Sequence, residues 1–257
     1  MRKLARYAPL LLGILSFLFI FFVWEIIARL RLINPFFISS PIEIAKVLQE
    51  QIISGELFQN IGVSLTEFAI GYGLAIIIGV FLGLLMGWYK VVEYALDPFV
   101  WTLYSAPIIA FYPILVLILG LGKPTVIAIT FKLAVVLVLV NTASGIKNVD
   151  PLLMRVARSF GARNLDLFFK VALPASVPMM IAGFRLGVGR ALMGVVAAEL
   201  FGSTRGLGAS ISYYGGLLET SKMLASLIVV SALGVMMTQA LSAVEAHFDS
   251  WRTGVEK

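Results

Sequence analysis

Charged side chains inside long apolar runs are the residues of this sequence with the clearest chemistry to offer. Lys132, Arg185 and Arg190 are cations that could attract an anionic solute if they faced a polar path. The alternative is that they pair with acids on neighbouring helices or with carbonyl groups at helix C-terminal ends, and this is the interpretation we favour. Arg185 and Arg190 are about 140° apart on a helix, so the two need not face the same way.

A group of polar and aromatic residues near two prolines is a second candidate for a polar path. Tyr104, Ser105 and Tyr112 stand beside Pro107 and Pro113, and a proline frees carbonyl groups and kinks a helix. The group could line a path, or it could be a packed kink, and both remain open. Together with the cations and one acid, the candidate path residues are Tyr104, Ser105, Tyr112, Lys132, Arg185, Arg190 and Glu199.

Residues for catalysis or metal binding are almost absent. The chain has no cysteine and one histidine, His247, which we interpret as a surface or interfacial residue. It has no Gly-x-x-x-x-Gly-Lys-Ser/Thr phosphate loop, so we do not expect it to hydrolyse ATP alone. No Glu/His cluster and no Ser/His/Asp set is visible. We therefore expect no catalytic residue, metal or cofactor on this chain, and a function in passage, docking or signalling.

The composition places these residues in a membrane. Hydrophobic residues make up 60% of the 257 residues and charged residues 13%, with a mean hydropathy of +0.98, whereas soluble domains are about half apolar and about a quarter charged. Six runs are long enough to cross a bilayer core: 8–28, 63–87, 97–120, 124–144, 175–200 and 223–244. Because backbone groups in lipid must pair internally, we predict a single all-α integral membrane domain over 1–257 with about six transmembrane helices.

The distribution of Lys and Arg predicts the orientation, because cytoplasmic loops are enriched in both. With the N-terminus in the cytoplasm, the cytoplasmic set is Arg2, Lys3, Arg6, Lys90, Lys147, Arg155, Arg158, Arg163, Lys170, Arg252 and Lys257. The smaller outer set is Arg29, Arg31, Lys46, Lys123, Arg205 and Lys222. Both termini are therefore predicted to be cytoplasmic. The net charge of +6 is assigned to these loops and not to nucleic-acid binding.

The outer segment 31–60 contains a predicted amphipathic helix. Ser40-Pro41-Ile42-Glu43 has the pattern of a capping box with proline at the first helical position, and Gly55 ends the helix. The apolar residues of one face are Ile42, Ala45, Leu48, Ile52 and Ile53. Such a helix either lies along the outer membrane interface or packs on the outer ends of the spans, and both remain open.

The cytoplasmic segment 145–174 contains two predicted short helices. Asp150 caps the first, with Pro151 in its first turn, and Gly161 breaks it. The second runs from about Asn164 to Val171, and Pro174 then starts the fifth membrane helix. The apolar faces are Leu152, Leu153, Val156 and Phe160 in the first helix and Leu167, Phe168 and Val171 in the second. An element that is apolar on one face and basic on the other predicts a docking surface.

The second membrane run carries a small residue at every fourth position. These residues are Gly71, Ala75, Gly79, Gly83 and Gly87. Small residues at this spacing let another helix approach closely. The stripe therefore predicts a tight helix–helix contact.

The cytoplasmic segment also carries a family motif. It reads Arg155-Val156-Ala157, three residues, Gly161, nine residues and then Val171-Ala172-Leu173-Pro174. This spacing resembles the EAA loop of binding-protein-dependent ABC importer permeases. The resemblance to the nitrate/sulfonate/taurine branch extends to Ser40-Pro41, Leu96-Asp97-Pro98, Asn141 to Pro151 and Gly183 to Leu200. The sequence departs from the family at Arg155, where the family usually has Glu.

The resemblance implies a type I ABC importer permease with an EAA-like coupling loop, in the bacterial inner membrane. Candidate ATPase-coupling residues are Leu152, Val156, Ala157, Phe160, Gly161, Ala162, Leu173 and Pro174. The implied partners are ABC ATPase subunits that carry ATP and Mg, a second permease copy in a homodimer, an external solute-binding protein and membrane lipid. The implied function is passage of a small anionic solute by alternating access, driven by the separate ATPase.

Two other classes of protein are alternatives. A secondary transporter or channel that works alone would favour inverted repeats, and no convincing repeat is present. A scaffold without transport suits the glycine-rich helix but leaves the loop spacing unexplained. The solute and the choice between a homodimeric and a heterodimeric pore stay open.

Overall fold

The computed structural model describes residues 2–34 and 36–249, with side chains for 12–34 and 36–243. The helices are α1 Arg2–Arg29, α2 Pro41–Ile53, α3 Glu56–Trp88, α4 Lys90–Ser105, α5 Tyr112–Leu119, α6 Lys123–Lys147, α7 Pro151–Ser159, α8 Asn164–Leu167, α9 Leu173–Gly202, α10 Leu207–Gly216 and α11 Thr220–Asp249. A 3₁₀ turn, Ile108–Phe111, precedes α5, and a π-helical turn, Phe168–Ala172, precedes α9. The predictions for the side chains of Arg2, Lys3, Arg6, His247, Arg252 and Lys257 lie outside the described residues.

The core consists of α6 packed between α3 and α9. The small-residue stripe of α3 faces β-branched residues of α6. A Cβ added at Gly71 would lie 2.8 Å from the Thr130 side chain. At the other end of the stripe, a Cβ at Gly87 would lie 2.6 Å from the Ile146 side chain. There is no room for a methyl group between these helices, so the tight contact predicted from the stripe is confirmed.

The register of this contact determines how the chain crosses the membrane. The step from Gly71 to Gly87 on α3 matches the step from Thr130 to Ile146 on α6, so the two helices run in the same direction. The segment between them must therefore cross the membrane in the opposite direction. It is broken, because α4 and the segment Ile108–Leu119 meet at an angle of 86°. The span predicted over 97–120 is therefore present as this bent pair, one of up to six crossings, and the disturbance expected near Pro107 and Pro113 is a break of 86°.

The close approach of α3 and α6 gives a stability prediction. A Cβ at Gly83 would lie 2.7 Å from the backbone oxygen of Leu139, which cannot move aside as a flexible side chain would. We expect Gly83→Ala to lower the free energy of unfolding by about 1–3 kcal/mol, the usual effect of overpacking. Gly73 of the same helix has nothing within 4 Å of its Cβ position, so Gly73→Ala is the matched control and should be neutral or slightly stabilising.

The measurement is denaturant unfolding of both variants in the same detergent, followed by circular dichroism. Equal stability of Gly83→Ala and Gly73→Ala would contradict the close packing of the two helices.

Helix α2 lies against one end of α3 and α11. The Ser40 hydroxyl accepts a hydrogen bond of 3.2 Å from the Glu43 N–H, as expected of an N-cap residue. Gly55 has a φ of +78° between α2 and α3. The face that packs on the protein contains the buried residues Ile44 and Gln51. The predicted apolar face remains exposed apart from the half-buried Leu48, so α2 packs on the helix ends with one face and leaves an apolar face free for the membrane interface.

Helix α1 is only loosely attached. None of the residues in its apolar run from 12 to 29 is buried within the described chain. Its contact with the rest runs through α2, where the Glu25 carboxylate accepts a hydrogen bond of 3.2 Å from the Ile42 N–H. The first span therefore lies outside the core of α3, α6 and α9.

Candidate functional site: a docking helix and a cationic cavity

Helix α7 lies on the surface of the chain and carries an exposed apolar stripe. The Asp150 carboxylate accepts a hydrogen bond of 2.7 Å from the Leu152 N–H and caps the first turn. The apolar stripe points away from the chain, since Leu152 and Val156 are exposed and Phe160 is 88% exposed. Leaving these side chains in water is unfavourable. The stripe is therefore suited to a partner with an apolar groove.

The turn after α7 is a glycine-dependent helix end. Gly161 has a φ of +84°, a conformation that residues with a Cβ rarely adopt. The Gly161 N–H donates to the Arg158 carbonyl at 2.9 Å, and the Ala162 N–H donates to the Ala157 carbonyl at 3.1 Å. These two bonds define a Schellman motif. The predicted break at Gly161 is confirmed, and the motif gives Ala157 and Ala162 a structural role in the turn.

The second half of the loop is joined rigidly to the fifth span. Helix α8, the π-helical turn and α9 form one helical segment from Asn164 to Gly202. Leu167 is buried, and the Phe168 ring packs edge-on against Trp88 at 5.1 Å between centroids. Leu173 is half-buried and Pro174 is exposed in the first turn of α9. The predicted start of the fifth span at Pro174 agrees with the first turn of α9, and the helical backbone also continues into it from α8.

A cavity of about 200 Å³ lies between α4, α6 and α9. Three of the predicted path residues line it, Tyr104, Lys132 and Arg190, together with Leu103, Leu133, Val136 and Leu137. Lys132 Nζ donates a hydrogen bond of 2.6 Å to the carbonyl of Ala106, the residue that caps the C-terminal end of α4. Lys132 thus makes the contact with a helix-end carbonyl that the sequence offered as the alternative to solute binding.

The other four predicted path residues lie elsewhere. Ser105 is exposed at the end of α4, and Arg185 is half-buried on α9. Tyr112 is buried, with its ring 5.6 Å from that of Phe201. Glu199 is completely buried. The structure therefore separates these residues from the cavity.

Glu199 holds helix α10 in place. Its Oε1 accepts a hydrogen bond of 2.6 Å from the Ser64 hydroxyl, and its Oε2 accepts one of 2.6 Å from the Gly208 N–H. Ser64 in turn accepts a bond of 2.9 Å from the Leu207 N–H. These N–H groups belong to the first turn of α10 and have no partner within their own helix. The Glu67 carboxyl, also buried, lies beside Glu199.

Helix α10 and the contacts that anchor it were not predicted from the sequence. The signal was present, because Leu207, Ile211 and Tyr214 recur at helical spacing. Leu207 and Tyr214 are buried, and the Tyr214 hydroxyl donates a hydrogen bond of 2.6 Å to the Glu56 carboxylate. Burial raises the pKa of the Tyr214 phenol, and the negative charge of Glu56 raises it further. Tyr214 therefore stays a neutral donor at any pH in which the protein works.

Five long apolar helices and one bent pair give up to six crossings, and the chain adds an exposed apolar stripe on α7 and a cavity with two cations. These features are typical of a membrane permease domain. The sequence profile described as "Binding-protein-dependent transport system inner membrane component" matches residues 75–250. The chain belongs to this family, whose members are the permease components of ABC importers.

The relatives and solved structures agree with this assignment. The chain is 32% identical over 234 residues to the aliphatic sulfonates transport permease protein SsuC of Bacillus subtilis (strain 168), covering 91% of this chain and 85% of that protein. It is 29% identical over 258 residues to the taurine transport system permease protein TauC of Escherichia coli (strain K12), covering 98% and 93%. A chain of the inward-facing MetNI methionine ABC transporter shares the fold with a TM-score of 0.67 at 17% identity, over 77% of this chain and 98% of that one. The predicted all-α, type I importer permease fold is confirmed.

Proposed function

We propose that this chain is the translocation subunit of an ATP-driven importer for a small anionic solute. The observation that carries the proposal is the exposed apolar stripe of α7, held by a glycine turn at the end of the continuous helical segment Asn164–Gly202. The stripe is suited to a groove on a separate ATPase, which supplies ATP and Mg. The anionic class of solute is supported by the sulfonate and taurine named in the descriptions of the two relatives.

The geometry suggests how force would pass from such an ATPase to the membrane. A movement of the ATPase displaces α7, and the bent turn at Gly161 carries this displacement to α8. Because α8 continues into α9 without a break, the displacement reaches the helix that carries Arg190. Closing and opening of the ATPase pair would then rock the two permease halves between inward and outward states.

The complete importer in this proposal contains two copies of the permease, two ATPase chains and an external solute-binding protein in the bacterial inner membrane. Both termini and α7 lie on the cytoplasmic side, so that α7 meets the ATPase. ATP hydrolysis occurs on the partner, and the residues of this chain contribute docking and passage only.

The test is to co-express the permease with the ATPase and the binding protein encoded beside it. We expect a stable permease–ATPase complex. In proteoliposomes, its ATPase rate should rise several-fold when the solute-loaded binding protein is added on the outer side. Solute flux through the permease alone, with no ATPase present, would instead establish a channel or secondary transporter.

A further inference from the structure

The cavity between α4, α6 and α9 carries two cations and no acid. Lys132 and Arg190 line it, and its remaining lining residues are Tyr104 and four aliphatic side chains. Lys132 uses one of its three N–H donors on the Ala106 carbonyl. Arg190 makes no hydrogen bond or ion pair with any residue that the structure describes. The positive charge around the cavity is therefore not balanced by this chain in the described ranges.

The cavity also lies deep in the membrane. Arg190 stands about 18 Å from the Gly202 end of α9 and about 25 Å from its Leu173 end, at about 1.5 Å per residue. Lys132 stands about 14 Å from the Lys123 end of α6. Ionisable groups at such depth are costly unless they are paired or line a polar path. An exposed arginine at this level that has no partner among the described residues requires an anion or water around its guanidinium group.

We propose that Lys132, Arg190 and the Tyr104 hydroxyl form an intramembrane binding site for a small oxyanion such as a sulfonate or nitrate group. The inference rests on the proposed function, and it deepens that function by assigning the place where the solute's charge is met. A guanidinium group donates to two oxygens of a planar or tetrahedral oxyanion at once. The volume of about 200 Å³ suits a small headgroup with a few waters, and it is too small for a drug-sized ligand.

Lys132 couples this site to the broken span. Its ammonium group holds the carbonyl of Ala106, the C-cap residue of α4, at the point where the span bends by 86°. An oxyanion in the cavity binds the same ammonium group through its two other N–H donors and draws it toward the cavity. Occupation of the site thus acts on the bend between α4 and α5.

The experiment uses the permease–ATPase complex in phosphatidylcholine nanodiscs without the binding protein. Thermal stability is measured against nitrate, methanesulfonate and methylammonium, with gluconate balancing the ionic strength. We expect nitrate and methanesulfonate to raise the Tm as their concentrations pass the Kd, and methylammonium to leave it unchanged. Arg190→Gln should raise the apparent Kd of both anions about tenfold or more, because a charge-assisted hydrogen bond is lost.

Three controls separate binding from structure. Arg190→Lys keeps the charge and should recover most of the affinity, whereas Arg205→Gln, on the exposed outer loop, should bind as the unchanged protein does. Lys132→Gln provides the same comparison if Arg190→Gln does not reach the membrane. Co-purification of the ATPase with each variant reports on the proposed function independently. Its loss in the unchanged protein would overturn that function.

Several results would overturn the site. One is an equal Kd for Arg190→Gln and the unchanged protein. Another is anion binding that appears only in nanodiscs containing phosphatidylglycerol, which would assign the cations to a lipid headgroup. A third is loss of the permease dimer in Arg190→Gln with unchanged anion binding by the remaining monomer, which would assign Arg190 to pairing with a second copy.

Discussion

Phe160→Ala is expected to weaken binding of the ATPase by about 30-fold or more while leaving the permease folded. Phe160 is 88% exposed and stands last in the stripe of α7, so its ring has no packing to lose within this chain. An aromatic anchor at the centre of an interface contributes about 2 kcal/mol or more to binding, which is roughly 30-fold in the Kd. The measurement is the Kd of the purified ATPase for the permease in nanodiscs.

The matched control for this prediction is Phe58→Ala. Phe58 is another exposed phenylalanine, at 62%, and it lies at the opposite end of the spans in α3. Its removal should leave ATPase binding and thermal stability unchanged. An equal loss of binding in the two variants would show that the effect is not specific to α7, and unchanged binding in Phe160→Ala would remove the stripe as the docking surface.

Gly161→Val is expected to abolish co-purification of the ATPase and uptake, although the permease still reaches the membrane. The φ of +84° at this residue costs about 1–2 kcal/mol for an ordinary side chain, and β-branched residues tolerate it least. Nothing lies within 4 Å of the Cβ position, so the effect comes from the backbone and not from a clash. Valine removes the sharp turn and turns α7 away from the ATPase.

Asparagine at the same position separates these causes. Asparagine is similar in size to valine, but it adopts the left-handed conformation at helix ends. We expect it to retain most of the ATPase binding and uptake. Loss of binding in both variants would indicate that side-chain bulk matters at this turn, and normal uptake by Gly161→Val would contradict the lever that links α7 to α9.

Most of the fold could be predicted because backbone N–H and C=O groups in lipid must pair within the protein. Twenty apolar residues in a row must form a helix, so the spans and their order followed from hydropathy. The stripe from Gly71 to Gly87 predicted a close neighbour, but not that this neighbour is α6. The prolines at 107 and 113 indicated a disturbance of the third span. The 86° bend itself depends on contacts from two other helices: Lys132 of α6 donates to the Ala106 carbonyl, and Phe201 of α9 packs against the Tyr112 ring.

The candidate site also has one part that could be predicted from the sequence and one part that could not. The loop from Asp150 to Pro174 could be predicted because caps, glycine turns and apolar stripes are local in sequence. The sequence could not predict which cations share a cavity, because Lys132 and Arg190 are brought together only by the packing of α6 against α9. The same holds for Glu199, whose partners Ser64 and Gly208 lie on two other helices. Residues that act across helices require the packing before their role can be assigned.

The missing methyl groups between α3 and α6 also restrict how the protein can move. At the stripe glycines of α3, side chains and backbone oxygens of α6 lie under 3 Å from the position that a Cβ would occupy. The two helices therefore cannot slide past each other without first separating. We therefore expect α3 and α6 to move as one rigid unit. Helix α9 packs equally closely on α6, because the Cβ position of Gly183 is 2.7 Å from the Asn141 side chain. Bending during turnover is therefore left to the break after Ser105 and to the loosely held first span, which move around the rigid unit of α3, α6 and α9.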